Sequence, residues 1–490
     1  MSELPENWGS CEIGDVAKVV GGGTPSSGDP TNFTKKGGIP WITPADLSKY
    51  KDIYIRRGAR NLTEKGLRES SAKIIPAGSV LFSSRAPVGY VVIASNDVTT
   101  NQGFKSFILP EDLDNRFVYY YLRHIKPIAE GMATGTTFKE LSGANAARLP
   151  FTIAPLPEQK RIADKLDSLL ARVDACQEHL ARVPAILKRF RQSVLAAAFR
   201  GELVEQDPKN EPASELIYRL QYERRKKWEE SKAINKKEYV EIDFPNLREL
   251  PELPDGWAWA TPEQLASTDH YALAIGPFGS SLMVKDYTEE GVPLIFVRNI
   301  RSGVFLGSNT SYISLEKADE LRAHKVVSGD ILITKMGDPP GDAFLYPDGM
   351  PNAIATSDCL KWSLSPLLFD KRFFVHAIHS PFVKYQIAQI TKGVAQQKMS
   401  LARFKTIAIP VPPLAEQHEI VRRVEKLFAF ADRLEARWKT AQARTAQLTP
   451  SLLAKAFRGE LVPQDPDDEP ASALLARIRK ASDKNPTLFD

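Results

Sequence analysis

Short loops of this sequence are rich in side chains that hydrogen-bond to nucleic acid. Arginine and lysine can contact guanine, asparagine and glutamine can contact adenine, and basic or small polar groups can hold phosphates. These side chains lie beside predicted strand or helix ends, where a loop could present them to a duplex. The candidate DNA contacts are Ser84, Arg85, Asn101, Gln102, Lys105, Thr136, Thr137, Lys139, Arg298, Asn299, Arg301, Lys335, Gln396, Gln397 and Lys398. For each residue taken singly, an ordinary solvated loop side chain is the alternative.

No motif for catalysis accompanies these loops. Asp338-Pro339-Pro340-Gly341 resembles the Asp-Pro-Pro-aromatic motif of adenine methyltransferases, but it lacks the aromatic residue that stacks on a flipped base. Gly21-Gly22-Gly23 does not open a predicted helix, so it is not a dinucleotide-binding loop. His376 and His379 could share a helical face, but no neighbouring cysteine or histidine completes a metal site. We therefore predict that the chain is not an enzyme and holds no cofactor or metal.

The composition is that of a soluble globular protein. Its 490 residues are 43% hydrophobic, and no run approaches the roughly 20 apolar residues that a membrane helix needs. The first residues lack the pattern of a signal peptide, and Cys11, Cys176 and Cys359 form no disulfide framework. We expect a cytoplasmic protein with reduced thiols. The net charge of +5 hints at nucleic acid, although residues 251–411 carry 15 basic against 16 acidic residues.

The strongest signal in the sequence is an internal repeat. Phe199-Arg200-Gly201-Glu202-Leu203-Val204 recurs 258 residues later as Phe457-Arg458-Gly459-Glu460-Leu461-Val462. Aligned without a gap, residues 158–216 and 416–474 are identical at 25 of 59 positions. The regions before the two repeats correspond only loosely. The layout is therefore variable domain, repeat, variable domain, repeat.

Each repeat is predicted to begin with a long helix. Apolar residues alternate at steps of four and three from Ile162 to Val194 and from Ile420 to Leu452, which is the pattern of a coiled-coil seam. The first helix leads away from the first variable domain, and the second helix follows the second variable domain. If the helices share one seam, the simplest arrangement is therefore antiparallel and pseudo-two-fold. The alternative is that each helix packs only against its own domain.

Prolines and glycines predict where these helices bend and end. Pro184 and Pro450 lie inside the helices and predict a kink or an interruption. Gly201 and Gly459 predict the helix ends, because glycine accepts the left-handed geometry that follows a last turn. A shorter amphipathic helix is predicted after each end, at 213–228 and 471–480.

The variable domains, residues 1–155 and 251–411, are predicted to be mixed α/β domains. Short β-like runs alternate with glycine, proline, asparagine and serine. The predicted strands include 79–82, 90–94, 294–297 and 330–334, and the predicted helices lie near 117–125 and 373–390. Ile39-Pro40-Trp41-Ile42 in the first domain corresponds to Val292-Pro293-Leu294-Ile295 in the second.

Several motifs resemble those of the specificity subunits of type I restriction-modification systems. Gly22-Gly23-Thr24-Pro25-Ser26 and the run from Gly38 to Leu47 resemble the opening of a target-recognition domain, whereas the second domain has Ile275-Gly276-Pro277-Phe278 instead. Pro412-Pro413-Leu414-Ala415-Glu416-Gln417 and both Phe-Arg-Gly-Glu-Leu-Val copies resemble the family's helical regions. The first copy, Pro155-Leu156-Pro157-Glu158-Gln159, is one residue shorter. The resemblance covers essentially the whole chain.

This resemblance implies an α+β fold. Two mixed α/β target-recognition domains would be separated by two long helices that form an antiparallel coiled coil with pseudo-two-fold symmetry. The expected divisions are a first target-recognition domain at 1–157, a first helical region and linker at 158–250, a second target-recognition domain at 251–411 and a second helical region at 412–490.

The resemblance also implies a function. The chain would read a bipartite, interrupted target in double-stranded DNA and direct adenine methylation and restriction by partners, namely two adenine-methyltransferase and two motor-nuclease subunits. S-adenosylmethionine, ATP and Mg would belong to those partners, and no membrane is involved. The expected partner contacts lie in the repeated motif, at Phe199, Arg200, Leu203, Phe457, Arg458 and Leu461. The alternatives are a fused methyltransferase or nuclease and a coiled-coil scaffold that does not touch DNA.

Overall fold

The computed structural model describes residues 4–135, 139–231, 238–246, 250–337, 339–365, 368–391 and 397–484. Three candidate DNA contacts, Thr136, Thr137 and Gln396, lie outside the described residues, as does Asp338. The chain forms two compact units. Unit 1 comprises Met1–Ala181 and Lys439–Asp490, and unit 2 comprises Arg182–Trp438. Each unit therefore combines one variable domain with segments of both repeats.

The variable domain of unit 1 is built from short strands and helices. Its strands are β1 (Gly9–Glu12), β2 (Lys18–Gly21), β3 (Phe33–Thr34), β4 (Ile39–Ile42), β5 (Tyr54–Ile55), β6 (Arg60–Leu62), β7 (Val80–Ser84), β8 (Val88–Ala94), β9 (Thr99–Thr100), β10 (Phe104–Ile108) and β11 (Pro150–Ile153). Its helices are α1 (Glu64–Arg68), α2 (Asn115–His124), α3 (Lys126–Met132) and α4 (Gly143–Ala147). The sheets have the orders β2-β10-β7-β8-β5 and β3-β6-β4-β9, while β1 pairs with β11.

Two helices of the first repeat follow this domain, α5 (Leu156–Phe199) and α6 (Ala213–Ser231). The variable domain of unit 2 comes next in the chain. Its strands are β12 (Ala258–Ala260), β13 (Leu273–Ile275), β14 (Tyr287–Thr288), β15 (Val292–Ile295), β16 (Tyr312–Ile313), β17 (Lys325–Val326), β18 (Ile331–Thr334), β19 (Met336–Gly337), β20 (Ala343–Leu345), β21 (Ala353–Ala355), β22 (Cys359–Trp362), β23 (Gln397–Lys398) and β24 (Ile409–Val411).

The helices of this second domain are α7 (Pro262–Leu265), α8 (Val297–Ser302), α9 (Leu315–Glu320), α10 (Lys371–His379), α11 (Pro381–Ile390) and α12 (Leu401–Phe404). The second repeat contributes α13 (Leu414–Ala456) and α14 (Ala471–Lys484). The sheets have the orders β13-β22-β18-β20 and β14-β16-β15-β21-β17, with β12–β24 and β19–β23 as two-stranded pairs. No helix in the described part of the chain has the length and apolar character that crossing a membrane requires.

The two variable domains share a strand arrangement. β4 pairs in parallel with β9, with Ile42 opposite Thr100. β15 pairs in parallel with β21, with Ile295 opposite Ala355. The loose correspondence between the two sequences therefore reflects a common topology. All four predicted strands are present. The helix predicted at 373–390 is two helices, because Pro381 starts α11 after a break at Ser380.

The long helices end where the glycines predict and continue where the prolines predict a break. Gly201 and Gly459 have φ angles of 77° and 73°. The amide of Glu202 donates to the carbonyl of Ala197 at 2.9 Å, which closes the helix end as expected. The predicted interruption is wrong, since α5 and α13 run through Pro184 and Pro450, while the alternative, a kink, stays a prediction. Each proline removes only one backbone hydrogen bond from a helix of more than 40 residues.

The antiparallel pairing of α5 and α13 is confirmed by contacts inside each unit. In unit 2, Arg191 donates to Asp432 at 2.7 Å, and Arg423 donates to the carbonyl of Leu203 at 2.7 Å. A later residue of the first repeat thus meets an earlier residue of α13. In unit 1, the beginning of α5 and the end of α13 enter one core, which contains Ile162, Leu166, Leu170, Leu453 and Phe457. The alternative in which each helix packs only on its own domain is wrong.

Candidate nucleic-acid interface

A tryptophan–glutamate contact at the start of each long helix fixes the helix to its variable domain. In unit 1, Trp8 Nε1 donates to Glu158 Oε2 at 2.9 Å, and Gln464 Nε2 donates to Glu158 Oε1 at 2.7 Å. Glu158 is 1% exposed, and this burial raises the pKa of its carboxyl group, while the two hydrogen bonds and Arg161 oppose the rise. We call Trp8, Glu158 and Gln464 the unit 1 anchor.

Unit 2 contains an equivalent anchor, formed by Trp257, Glu416 and Asn210. Trp257 Nε1 donates to Glu416 Oε2 at 2.8 Å, and Asn210 Nδ2 donates to Glu416 Oε1 at 3.5 Å. In both anchors the tryptophan lies near the start of the variable domain, the glutamate lies at the start of the helix that follows the domain, and the amide comes from the other repeat. The anchors therefore hold the variable domains on two similar supports.

The glutamine after each anchor glutamate fixes a helix of the variable domain. Gln159 Oε1 accepts from the amide of Asp114 at 3.0 Å, at the start of α2. Gln417 Oε1 accepts from the amide of Asp370 at 3.0 Å, at the start of α10. Both glutamine side chains are fully buried. The repeated Glu-Gln pair is thus explained by two structural contacts.

The repeated Phe-Arg-Gly-Glu-Leu-Val motif is divided between core and surface. The ring of Phe457 packs edge-on against Phe117 in unit 1, with centroids 5.3 Å apart, and Phe199 packs on Phe373 in unit 2 at 5.0 Å. Both phenylalanines are buried in this chain's own cores. They are therefore no longer candidates for direct contact with a partner.

The remaining residues of the motif lie nearer to solvent. Arg200 and Arg458 are exposed, and each pairs with the glutamate two residues later, at 2.6 Å and 2.7 Å. Leu203 and Leu461 are half-buried. The two arginines are the most accessible of the six expected partner contacts.

In unit 1, two basic candidates pair with one glutamate, and a third precedes that glutamate in the sequence. Arg85 and Lys105 form ion pairs with Glu140 at 3.4 Å and 3.7 Å, and the exposed Lys139 is its neighbour in sequence. Ser84 is fully buried at the end of β7, and its hydroxyl has no partner among the described residues. Ser84 therefore supports the loop from within, whereas the basic side chains approach the surface.

The Gly-Thr-Pro loop of unit 1 meets a second candidate loop. A Cβ atom on Gly22 would lie 2.0 Å from the carbonyl oxygen of Asn101, so only glycine fits there. The exposed Gln102 contacts the hydroxyl of Thr24. Asn101 accepts from the amide of Gly103 at 3.0 Å and so shapes the turn. Of the two candidate contacts Asn101 and Gln102, Gln102 is the more accessible.

In unit 2, Lys335, Gln397 and Lys398 lie on adjoining segments. β19 pairs with β23, which places Met336 opposite Lys398 and Gly337 opposite Gln397. Lys398 is exposed and Gln397 is half-buried. Lys335 donates to the carbonyl of Ser357 at 3.0 Å and lies 4.4 Å from the ring centre of Phe278. Burial lowers the pKa of the Lys335 ammonium group.

The prediction for Asn299 needs correction. Its Oδ1 accepts from the amide of Phe296 at 2.8 Å, and its Nδ2 donates to the carbonyl of Val304 at 2.9 Å. Asp46 accepts from the amide of Thr43 at 2.8 Å at the corresponding position of unit 1. Asn299 is buried and caps α8, so its amide group is not available to a base.

Arg298, the neighbour of Asn299, is exposed and stacked. Its guanidinium lies 4.0 Å from the ring centre of Phe296, and it donates to the carbonyl of Asn309 at 3.1 Å. A similar stack in unit 1 is not predicted from the sequence. The guanidinium of the exposed Arg60 lies 4.7 Å and 5.3 Å from the rings of Phe33 and Trp41. Arg60 belongs to a strand, so a search of loops passes over it.

The two histidines on α10 have structural environments. His379 Nε2 lies 2.8 Å from the carbonyl oxygen of Ala343, and the ring of His376 packs edge-on against Phe428. Burial lowers the pKa of both, that of His376 to about 4. Among the described residues, no group of three histidine, cysteine, aspartate or glutamate side chains could hold a metal ion.

Comparison with known families identifies the chain. A family model of the type I restriction modification DNA specificity domain matches residues 5–184 and 289–442. The chain belongs to the type I restriction-modification specificity subunits. It is 30% identical to the EcoBI specificity subunit of Escherichia coli, over 97% of this subunit and 92% of that one. It is 36% identical to the MjaIX specificity subunit of Methanocaldococcus jannaschii, over 86% and 88% of the two chains.

Solved structures confirm the fold of this specificity subunit. The HsdS subunit from Thermoanaerobacter tengcongensis superposes with a TM-score of 0.57 at 16% identity, over 94% of this subunit and 98% of that chain. A chain from a type I R-M complex gives a TM-score of 0.60 at 16% identity, over 94% and 100%. The predicted α+β fold with paired long helices is therefore confirmed. As a member of this family, the chain is a DNA-recognition subunit and not a catalytic one.

Proposed function

We propose that this specificity subunit reads a bipartite, interrupted target in double-stranded DNA, with one half contacted by each unit. The observation that carries the proposal is the duplicated anchor beneath unlike surfaces. Trp8–Glu158 and Trp257–Glu416 support the two domains in the same way. A duplicated support suits two half-sites, and unlike surfaces suit half-sites of different sequence.

The surfaces differ at a β-bridge that both domains contain. In unit 1, this backbone β-bridge pairs Arg85 with Glu140. In unit 2, the corresponding bridge joins Met336 to Lys398, which lies 258 residues after Glu140. A basic–acidic pair is thus replaced by an apolar–basic pair at one position of a common topology. Such a change alters which hydrogen-bonding groups face a duplex.

We further propose that the subunit directs adenine methylation and restriction by partners in the cytoplasm. Two methyltransferase subunits and two motor-nuclease subunits would supply the chemistry together with S-adenosylmethionine, ATP and Mg. Arg200 and Arg458, exposed at equivalent places in the two units, suit two copies of one partner. The division at residues 157, 250 and 411 gives the segments to exchange when each half is tested.

The direct test is to co-express the subunit with its methyltransferase partner and map modified adenines across a genome. We expect methylation confined to one two-part motif with a fixed gap. Methylation without a motif, or methylation by this chain without its partner, would contradict the proposal. A coiled-coil scaffold that does not contact DNA would leave the partner's methylation pattern unchanged when the variable domains are altered.

A further inference from the structure

Arg301 is a partly exposed arginine held in a fixed orientation beside the β19–β23 pair of unit 2. Its Nε donates to Asp342 Oδ2 at 2.9 Å, and its Nη2 donates to the carbonyl of Pro339 at 3.3 Å. No described residue accepts a hydrogen bond from Nη1. Nε and one N–H of Nη2, the inner edge of the guanidinium, are therefore fixed by the protein. The N–H groups of Nη1 and the second N–H of Nη2 can contact a ligand.

The carboxylate that holds Arg301 is itself held. Asp342 Oδ1 lies 3.3 Å from Lys384 Nζ, which also donates to the carbonyl of Gly341 at 2.8 Å. The amide of Asp342 donates to the hydroxyl of Thr334, at the end of β18, at 2.9 Å. Asp342 thus connects Arg301 to β18 in the β13-β22-β18-β20 sheet.

Gly337 leaves the space that the guanidinium occupies. A Cβ atom on Gly337 would lie 2.2 Å from Nη2 of Arg301, and the residue has a φ angle of 148°. Any other residue at 337 would displace the guanidinium. Because Gly337 lies opposite Gln397 on the paired strand, this glycine also places Arg301 close to β23, which carries Lys398.

The arrangement is specific to unit 2. Asp46 and Asn299 make the same capping hydrogen bond, so Arg301 corresponds to Ser48. The amide of Tyr90 donates to the hydroxyl of Ser83 as that of Asp342 donates to Thr334, so Tyr90 stands where Asp342 does. Unit 1 therefore has a serine and a tyrosine in place of the ion pair. The Arg301–Asp342 ion pair is therefore a difference between two domains of common topology. Such a difference suits two domains that read half-sites of different sequence.

We propose that Arg301 reads a guanine in one half of the DNA target and that Asp342 is its positioning residue. This inference rests on the proposed function. Arginine donates two parallel hydrogen bonds to O6 and N7 of guanine, and a guanidinium already fixed at its inner edge loses little freedom on binding. Lys398, which is exposed on β23, would contact a phosphate beside that base.

The test compares methylation motifs of complexes that contain wild-type subunit, Arg301→Lys, Arg301→Ala or Asp342→Asn. The control is Arg322→Ala, which removes the same charge from another exposed arginine of unit 2. We expect wild type to require a guanine in one half. In Arg301→Ala, preference for that guanine should fall roughly tenfold to hundredfold, with the other half unchanged; in Arg301→Lys it should fall less, because lysine can still donate to guanine but lacks the planar fork. Asp342→Asn should weaken the same preference, and Arg322→Ala should leave it intact.

The outcomes separate this inference from the proposed function. A wild-type complex without a two-part motif would contradict the proposed function itself. A wild-type two-part motif that persists in Arg301→Ala at an unchanged or uniformly lower rate would overturn the guanine assignment alone. A uniform loss at all sites in Asp342→Asn would show a structural role and not a positioning one.

Discussion

Trp8 and Glu158 are separated by 150 residues, and the indole nitrogen of one donates a 2.9 Å hydrogen bond to the buried carboxylate of the other. The same carboxylate accepts from Gln464 near the end of the chain. One side chain therefore joins the start of the first variable domain, the first repeat and the second repeat. Unit 2 repeats this contact with Trp257 and Glu416. Each variable domain is thus fixed by both repeats.

Removal of an anchor carboxylate should destabilise its unit. Glu158→Ala leaves the donors of Trp8 and Gln464 without an acceptor in a buried site, and we expect a loss of about 2–4 kcal/mol in the free energy of unfolding. Glu416→Ala should act similarly on unit 2. Urea unfolding followed by tryptophan fluorescence measures the loss. Glu202→Ala, which removes an exposed glutamate, is the control and should change nothing measurable; equal behaviour of Glu158→Ala and Glu202→Ala would show that the anchors do not contribute.

Asn299→Ala should lower stability without changing the DNA motif. The asparagine caps α8 through its contact with Phe296, and loss of such a cap costs about 1 kcal/mol. Asp46→Ala should have a similar effect in unit 1. Unfolding measurements and methylation mapping of the same variant give the two results. A changed base preference with unaltered stability would restore Asn299 to the candidate DNA contacts.

The repeated motif should divide into stabilising and partner-binding residues. Phe457→Ala opens a cavity in the core of unit 1 and should destabilise the chain by about 3–5 kcal/mol. Arg458→Ala, one residue further along, should leave unfolding unchanged and weaken association with the methyltransferase partner. Calorimetric titration of the partner, together with thermal unfolding, separates the two effects. Normal assembly by an Arg200→Ala/Arg458→Ala double variant would show that the motif is structural throughout.

Acid should destabilise unit 2 through its buried histidines. The pKa of His376 is lowered from 6.5 to about 4 by burial, so the unfolded chain binds a proton that the folded chain does not. The contribution of neutral His376 to the free energy of unfolding is complete above pH 6.5 and is lost as the pH falls toward 4. We expect the free energy of unfolding to decrease over this window, and His376→Leu to reduce the slope. An identical slope in wild type and variant would contradict this role.

The sequence predicts those parts of the fold that depend on local spacing. The four-and-three pattern predicts the paired helices, and the left-handed glycines predict their ends. The same pattern places Cys176 and Leu448 in the seam, yet both are exposed. A heptad pattern shows which side of a helix is apolar, but the length over which a partner covers it depends on the tertiary fold.

The candidate site could be predicted only in part, because residue type does not reveal existing hydrogen bonds. Asn299 has the right chemistry for adenine, but both ends of its amide are bound to backbone. The Arg301–Asp342 pair joins residues 41 positions apart. The space for it depends on Gly337, whose role appears only in three dimensions. Contacts between distant segments decide which polar side chains remain available.

Exchange of residues 1–155 shows whether each unit reads one half of the target. The donor would be the first domain of a relative with a different target, with tryptophan kept at position 8 and phenylalanine at 117 so that contacts with Glu158 and Phe457 persist. The measurement is the map of methylated adenines produced with the original partner. We predict that one half of the motif changes to that of the donor while the other half stays the same. A change in both halves, or in neither with methylation retained, would show that the two units do not read separate halves of the target.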